Sequence, residues 1–253
     1  MNPEIPIIDW NQRFTVQAGW TRPLRQFLIE QTGMRSTTRV LEVGSGTGVI
    51  LRETIEMVGN QPVGIDLNLE RLLENKSIQR DQVISCADVY FLPFPLNTFD
   101  FVISHYLCLW LSDPVQALLE INRVLKPGGF AIAFAEPDYA SRIEYPEEFQ
   151  ALGNTQTKSL IDQGINPKTG RSLPSFFSES GLTEIQYGLS GFQIPVQSLS
   201  NDWESEWAIL QHDLAGNIST TRMDQYKLDD KKSRLSGSRV SWVPTFYTIG
   251  KKN

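Results

Sequence analysis

The chain has 253 residues, of which 40% are apolar, and it carries a formal net charge of −6 at pH 7. This length and apolar content suffice for a single α/β domain with a sizeable core. Lys and Arg never form a run longer than two residues, so the basic stripe expected of a nucleic-acid-binding protein is missing. The sequence shows no basic-then-apolar leader and no apolar run of membrane-spanning length. We therefore expect a cytoplasmic protein that binds neither nucleic acid nor membrane, with Cys86 and Cys108 reduced in its core.

Polar residues that favour helix starts open the N-terminal region. Asp9 followed by Gln12 has the spacing of a capping box, which predicts a short first helix. A second helix is predicted to begin near Thr21, with Pro23 in its first turn, where a missing N–H costs nothing. Apolar residues between positions 20 and 28 then recur at helical spacing. Residues 1–37 are thus expected to form helices ahead of the first strand.

A glycine turn follows the first predicted strand, which starts at position 40. The strand runs into glycines at alternate positions, Gly44, Gly46 and Gly48, and then into a helix predicted over about 47–57. Glycine leaves no Cβ where a ligand must lie against the backbone. A dinucleotide-binding turn, G-x-G-x-x-G, would place its third glycine at position 49, which is Val49 here. The spacing therefore disfavours a nicotinamide-binding dehydrogenase, and an acid, Glu42, precedes the first glycine by two residues.

Four further strands are predicted, and acids follow two of them. Residues 63–66 form a short strand that ends at Asp66, about 20 residues past the glycine turn, where a carboxylate can accept both ribose hydroxyls of an adenosine. A third strand near 83–84 leads to a further acid, Asp88. A fourth strand covers 99–104, and the segment 125–129 ends a helix and starts a fifth strand at 130–135. Strands separated by helices predict parallel pairing with right-handed crossovers.

This succession resembles the class I S-adenosylmethionine (SAM) dependent methyltransferases, of the small-molecule type that acts in ubiquinone and menaquinone biosynthesis. The resemblance covers about residues 38–138. It implies an α/β fold: a Rossmann-like, doubly wound, seven-stranded sheet, mostly parallel with an antiparallel edge strand, plus N-terminal helices and inserted cap segments. It also implies SAM as the cofactor and S-adenosylhomocysteine as its product. We divide the single domain, 1–253, into helices at 1–37, a SAM-binding core at 38–138 and cap segments at 139–181 and 200–237.

The second half of the chain carries a capped helix, two late strands and the cap segments. Asp113 caps a helix predicted over 114–125. Late strands are expected at 182–189 and 240–249, and a short helix at about 174–180. Another helix places Trp203 and Trp207 on one face. The charged stretch 224–237 is predicted to be a mobile loop.

The resemblance assigns the cofactor to residues at the carboxyl edge of the sheet. The helix after the glycine turn directs its N-terminus at this edge, which suits the methionine carboxylate of SAM. The implied cofactor-binding residues are Glu42, Gly44, Ser45, Gly46, Gly48, Asp66, Leu67, Ala87, Asp88, Val89, Ser104 and His105.

Candidates for acid–base chemistry are few, because the chain has only 2 histidines. His105 directly follows the fourth strand, and it is predicted either to act as a base or contact the substrate, or to pack against the cofactor. Tyr106 and Glu136 are further catalytic candidates, although Glu136 could instead stabilise a loop through backbone N–H groups. The second histidine, His212, is expected to be solvated. No metal site is predicted.

Substrate contacts are predicted from the N-terminal helices, the end of the fifth strand and the cap. The residues are Arg13, Gln17, Trp20, Asp138, Tyr139, Trp203 and Trp207. For the three tryptophans a place in the core, and for Arg13 a place on the surface, remain open alternatives.

We expect an enzyme that transfers a methyl group from SAM to O, N or C of a small, apolar or aromatic metabolite. The Pro-Pro run of amino-methylating DNA enzymes and the paired-Glu loop of protein arginine methyltransferases are both missing after the fourth strand, which favours a small molecule. Two alternatives stay open. One is a SAM-binding enzyme of the same fold that catalyses decarboxylation or cyclisation, and the other is a non-catalytic SAM-binding regulatory protein. The oligomeric state is not predicted.

Overall fold

The computed structural model describes residues 9–78, 81–190, 199 and 203–253. Residues 200–202 of the second predicted cap segment lie outside these ranges. In chain order, the helices and strands are α1 (Trp10–Thr32), β1 (Val40–Val43), α2 (Val49–Val58), β2 (Val63–Asp66), α3 (Leu69–Ile78), β3 (Val83–Cys86), β4 (Phe99–Ser104), α4 (Pro114–Val124), β5 (Leu125–Pro137), β6 (Ile143–Tyr145), α5 (Glu148–Asp162), α6 (Thr169–Glu179), β7 (Thr183–Leu189), α7 (Trp203–Asp213), α8 (Thr220–Ser236), β8 (Val240–Trp242) and β9 (Thr245–Lys251). Short 3-10 turns occupy Cys108–Trp110 and Tyr139–Ser141.

Seven strands form one twisted sheet in the order β3-β2-β1-β4-β5-β9-β7. The first five of these are parallel, and β9 lies antiparallel between β5 and β7. The predicted seven-stranded, mostly parallel sheet is therefore confirmed. The antiparallel strand, however, is one position in from the edge, and β7 forms the edge itself.

Helices cover both faces of this sheet, as the alternation of side chains along β4 shows. Phe101 and Ile103 pack into a core with residues of α1 and α2, and Val102 points to the opposite face, into a core with residues of α4 and α6. Strands buried on both faces are expected where helical crossovers cover a parallel sheet. Each fully buried aliphatic or Phe side chain stabilises such a core by roughly 1.5–3 kcal/mol.

The N-terminal region forms one helix of 23 residues instead of the two that were predicted. Asp9 caps it as expected, since its side chain accepts a hydrogen bond from the backbone N–H of Gln12 at 2.8 Å. Pro23 lies inside the helix, where it removes one intrahelical hydrogen bond. Packing of the buried face, which includes Leu28 and Ile29, against the sheet offsets this loss.

The predicted mobile loop at 224–237 is wrong, because residues 224–236 belong to α8 and Gly237 is its C-cap. Ser219 caps the helix by accepting a hydrogen bond from the N–H of Arg222. The carboxylate of Asp230 is buried and accepts hydrogen bonds from the indole N–H groups of Trp203 and Trp207, at 2.7 and 3.0 Å. Arg234 and Arg239 also donate hydrogen bonds to this carboxylate. The buried Asp230 therefore links α8 to α7 and to the segment before β8.

The predicted strand at 240–249 is interrupted. Pro244 separates β8, which pairs with β6 in a small two-stranded sheet, from β9 in the main sheet.

Helix α6 starts at Thr169, earlier than predicted. Cys86 is exposed at the end of β3, contrary to the expected core position, whereas Cys108 is buried as expected. None of the helices among the described residues is long and apolar enough to cross a membrane.

Candidate cofactor and active site

A cavity of about 840 Å³ lies at the carboxyl ends of β1, β2 and β4. Helix α1 covers one side of it, and α5 and α7 of the cap reach the other. It brings together these residues predicted from the sequence: Arg13, Gln17, Glu42, Gly44, Ser45, Gly46, Asp66, Leu67, Ala87, Asp88, Val89, His105, Tyr106 and Tyr139. Seven predicted site residues do not line it: Trp20, Gly48, Ser104, Glu136, Asp138, Trp203 and Trp207.

The glycine turn after β1 is fixed from both sides. The backbone N–H groups of Gly44 and Ser45 both donate to the carbonyl of Ile65 on β2, at 2.8 Å. Gly46 adopts φ +51°, and a Cβ on it would lie 3.1 Å from the ring of Phe14 on α1. A side chain at Gly46 would therefore be disfavoured by the backbone conformation and by contact with α1, which packs against the turn.

Gly48, predicted to contact the cofactor, does not line the cavity, and its Cβ position is filled by packed side chains. Its φ is +77°, and a Cβ there would lie 2.3 Å from the amide nitrogen of Asn75 and 2.3 Å from the amide oxygen of Gln82. Both side chains are buried. The third glycine thus lets α2 begin close to the polar side chains behind the turn.

The two strand-end acids keep hydrogen-bonding capacity toward the cavity. Asp66 accepts a hydrogen bond from the N–H of Asn68 on one oxygen and from the N–H of Gly46 on the other, each at 2.8 Å. Asp88 accepts one from the N–H of Tyr90 at 3.0 Å. Because each carboxylate oxygen has two lone pairs, both acids can still accept hydroxyl or amino donors from a ligand.

Glu42 is the clearest sign that a ligand belongs in the cavity. Its side chain lies at the cavity wall and the residue is only 2% exposed. Its Oε2 atom, like the hydroxyl of Ser45, has no hydrogen-bond partner among the described residues. Burial, and then the neighbouring Asp66, raise the pKa of Glu42 well above its usual value. An ammonium group in the cavity would satisfy this orphaned carboxyl, because buried polar groups without partners are costly.

An aromatic cover over the turn was missed by the sequence analysis. The guanidinium of Arg71 on α3 lies 4.6 Å from the ring centroid of Trp10 and 5.3 Å from that of Phe14. The two rings are 5.7 Å apart, and all three residues line the cavity. The i, i+4 spacing of the two aromatic residues on one helix was the signal available in the sequence.

His105 occupies a different environment from the one that a base requires. Its Nε2 atom lies 3.0 Å from the hydroxyl of Thr21 and 3.3 Å from the Nη1 atom of Arg25, both on α1. Burial, and then the charge of Arg25, lower the pKa of His105 well below its usual value. A weakened basicity disfavours the role of general base predicted from the sequence.

Tyr106 lies beside His105, with its ring edge-on at 4.6 Å, and adopts φ +54°. Burial raises the pKa of its phenol above the usual value. The phenol therefore remains protonated at neutral pH, so it can donate a hydrogen bond but does not serve as a base.

Glu136 anchors a loop rather than reaching the cavity. It is completely buried, and its carboxylate accepts hydrogen bonds from the N–H groups of Leu107, Cys108 and Leu109 at 2.7, 2.8 and 3.3 Å. Burial raises the pKa of Glu136 to about 7, although these hydrogen bonds act in the opposite direction. The structure thus places the predicted catalytic acid behind a loop whose residues Leu107 and Leu109 line the cavity.

Several predicted substrate contacts lie elsewhere. Asp138 is buried in an ion pair with Arg171, and its N–H donates to the carbonyl of Pro244. Trp203 and Trp207 belong to a separate core of the cap. Trp20 is on α1 but outside the cavity wall, and Ser104 is buried within β4. Of the cap residues that line the cavity, Tyr139 was predicted as a substrate contact, and the others, Leu160, Gln163, Ile209, His212 and Asp213, were not.

Comparisons with known proteins agree with this geometry. Residues 41–133 match a family model described as a methyltransferase domain. An uncharacterized methyltransferase of Schizosaccharomyces pombe is 35% identical over 156 residues, which cover 55% of this chain and 55% of that protein. A ubiquinone/menaquinone biosynthesis C-methyltransferase of Teredinibacter turnerae is 35% identical over 132 residues, which cover 48% of this chain and 53% of that protein.

A solved structure shows the same fold over most of the chain. It is a phosphoethanolamine N-methyltransferase of Haemonchus contortus in complex with S-adenosylhomocysteine, with a TM-score of 0.58 and 17% identity, covering 91% of this chain and 53% of that one. The matched segments span about half the length of the two curated relatives.

Proposed function

We propose that this protein methylates a small molecule with SAM as the methyl donor, since residues 41–133 match a methyltransferase domain model and the cavity lies at the carboxyl edge of the sheet. The acceptor is a small, apolar or aromatic metabolite, methylated at O, N or C. The observation that carries the proposal is the orphaned carboxyl of Glu42, buried beside the glycine turn. SAM carries an α-ammonium group, which would pair with the carboxyl of Glu42.

The polar residues of the cavity match the chemical groups of SAM. Glu42 would face the ammonium group, Asp66 the ribose hydroxyls and Asp88 the adenine amino group. Gly44 and Gly46 line the same cavity and would present the backbone of the turn to the ligand, while their Cβ positions face Leu107 and Phe14. When bound, SAM supplies a methyl group activated by its sulfonium centre.

The other part of the cavity would hold the acceptor. Tyr106, Leu109 and Tyr139 follow the ends of β4 and β5, and Leu160 and Ile209 come from the cap. These side chains would pack against an apolar or flat molecule and exclude water from it. Orienting two reactants in this way can lower a barrier by roughly 7–11 kcal/mol in the best cases, without any covalent intermediate.

Cofactor binding is tested with Asp66→Ala, measured by calorimetric titration with SAM. Loss of charge-assisted hydrogen bonds should weaken binding by about 1–3 kcal/mol, which is about 5- to 150-fold. Asp162→Ala removes an exposed acid from α5 and serves as the control, with unchanged affinity expected. A folded Asp66→Ala protein that binds SAM like the wild type would remove Asp66 from the site.

Methyl transfer is tested by incubating the protein with methyl-labelled SAM and a small-molecule extract of its source cells. We expect label in one metabolite, identified by mass spectrometry. Binding of SAM without transfer of label to any component of the extract would favour the non-methylating alternative. Absence of SAM binding would contradict both.

A further inference from the structure

Arg25 lies at the centre of a buried hydrogen-bond group between α1, α2 and the cavity. The residue is 1% exposed, and all five of its N–H donors have acceptors. Nε and Nη2 donate to Glu53, the former at 3.0 Å, and Nη2 also donates to the carbonyl of Ala18 at 2.7 Å. Nη1 donates to the hydroxyl of Thr21, and its remaining hydrogen faces Nε2 of His105 at 3.3 Å.

This arrangement decides which nitrogen of His105 carries the proton. A guanidinium donates hydrogen bonds and cannot accept them, so the nitrogen that faces it must present a lone pair. The Thr21 hydroxyl, which accepts from Arg25, can donate its own hydrogen to the same Nε2 atom at 3.0 Å. A neutral imidazole whose Nε2 is an acceptor carries its hydrogen on Nδ1.

The Nδ1 atom is the one left for a ligand. It has no hydrogen-bond partner among the described residues, and the imidazole lines the cavity. The ring also lies against Tyr106, at 4.6 Å, beside the part of the cavity with aromatic and apolar walls. A molecule bound in that part of the cavity would lie next to this ring, within reach of the Nδ1 hydrogen.

We propose that His105 is a neutral hydrogen-bond donor, through Nδ1, to an oxygen or nitrogen lone pair of the methyl acceptor, and that Arg25 is the positioning residue that fixes this tautomer. The proposal rests on the proposed function for the identity of the ligand. It narrows the acceptor to molecules with a carbonyl, hydroxyl, carboxylate or ring nitrogen next to the methylated atom. It also excludes His105 as the general base, because Nε2 accepts a hydrogen bond from Arg25 and Nδ1 already carries a proton.

The tautomer is tested by NMR without any substrate. The chain has 2 histidines, so labelling the imidazole nitrogens in His212→Gln leaves His105 as the single signal source. We expect a protonated Nδ1 and an unprotonated Nε2. Thr21→Val should keep this pattern, because Arg25 remains. The double variant Arg25→Met/Glu53→Met, which leaves no lone buried charge, should show a mixture of tautomers. A proton on Nε2 in the single variant His212→Gln would overturn the proposal.

The donor role is tested by comparing His105→Asn with His105→Gln in the methyl transfer assay. The Asn amide lies near the position of Nδ1, whereas the Gln amide lies near that of Nε2. We expect turnover to fall about 10- to 100-fold with Gln and less with Asn, since one variant loses the hydrogen bond and the other retains a donor. SAM affinity should change less than about twofold in both. Higher turnover with Gln than with Asn would overturn the donor role, whereas absence of SAM binding by the wild type would instead contradict the proposed function.

Discussion

Replacing Gly48 by Ala tests whether the third glycine of the turn serves packing rather than cofactor binding. An alanine with φ +77° costs roughly 1–2 kcal/mol, because its Cβ crowds the following carbonyl. The new methyl group would also lie 2.3 Å from the side-chain amides of Asn75 and Gln82, so these two buried side chains would have to shift within the core. Overpacking of this kind costs about 1–3 kcal/mol. We therefore expect the free energy of unfolding to fall by about 2–5 kcal/mol.

Gly33 provides the matched control. It has a similar φ, +72°, at the C-terminus of α1, but a Cβ on it would meet no atom within 4 Å. Gly33→Ala should therefore show the conformational cost alone, roughly 1–2 kcal/mol. Urea unfolding followed by circular dichroism measures both. Equal losses for the two variants would refute the packing argument, and so would a folded Gly48→Ala protein that is stable but no longer binds SAM.

Two further predictions concern buried carboxyl groups. Burial gives Glu136 a folded pKa of about 7, above its ordinary 4.5, so its contribution to stability is complete below pH 4.5 and is lost as the pH rises through 7. The loss corresponds to about 3 kcal/mol in total, and roughly 2–3 kcal/mol of it falls between pH 5 and 8. Glu136→Gln should remove this part of the pH dependence in urea unfolding, and an unchanged profile would contradict the raised pKa. Asp230→Ala removes the acceptor of two indoles and two arginines and should cost about 3–5 kcal/mol, whereas Asp224→Ala, an exposed acid on the same helix, should cost under about 1 kcal/mol. Similar losses for these two variants would argue against the buried network.

The predicted site residues that the structure brings together in one cavity are encoded locally. The glycine turn lies between β1 and α2, and Asp66 and Asp88 follow strands whose apolar runs are visible in the sequence. Since parallel strands bring their carboxyl ends to one edge, the order of motifs along the chain was enough to place these residues together. The helix cap at Asp113 was confirmed for the same reason, because a cap depends on a side chain and a backbone N–H three residues apart.

The parts that failed depend on contacts between distant residues. The sequence of α8 is mostly polar, and its packing depends on partners that are distant in the chain. Met223 and Tyr226 join the core that contains Trp203 and Trp207. Asp230 accepts hydrogen bonds from the indoles of those two tryptophans, 27 and 23 residues away. The Nε2 atom of His105 faces Arg25, 80 residues earlier, and burial followed by the charge of Arg25 lowers the pKa of His105. Glu136 looked like a site residue because it ends a strand at the ligand edge, but three backbone N–H groups from another segment turn it inward. Periodicity and spacing carry no record of such partners.

The position of β9 in the sheet has a consequence for how the molecule folds. Strands β1 to β5 are contiguous in the chain and can pair with one another as they emerge from the ribosome. Among the described residues, the edge strand β7 pairs only with β9, and 55 residues, 190–244, separate the two strands. Helices α7 and α8 lie in that interval, so they are synthesised before β9 is available to complete the sheet. Because closing such a loop costs entropy before its contacts form, we expect the half of the molecule with the glycine turn to become protected from hydrogen exchange first and β7 last.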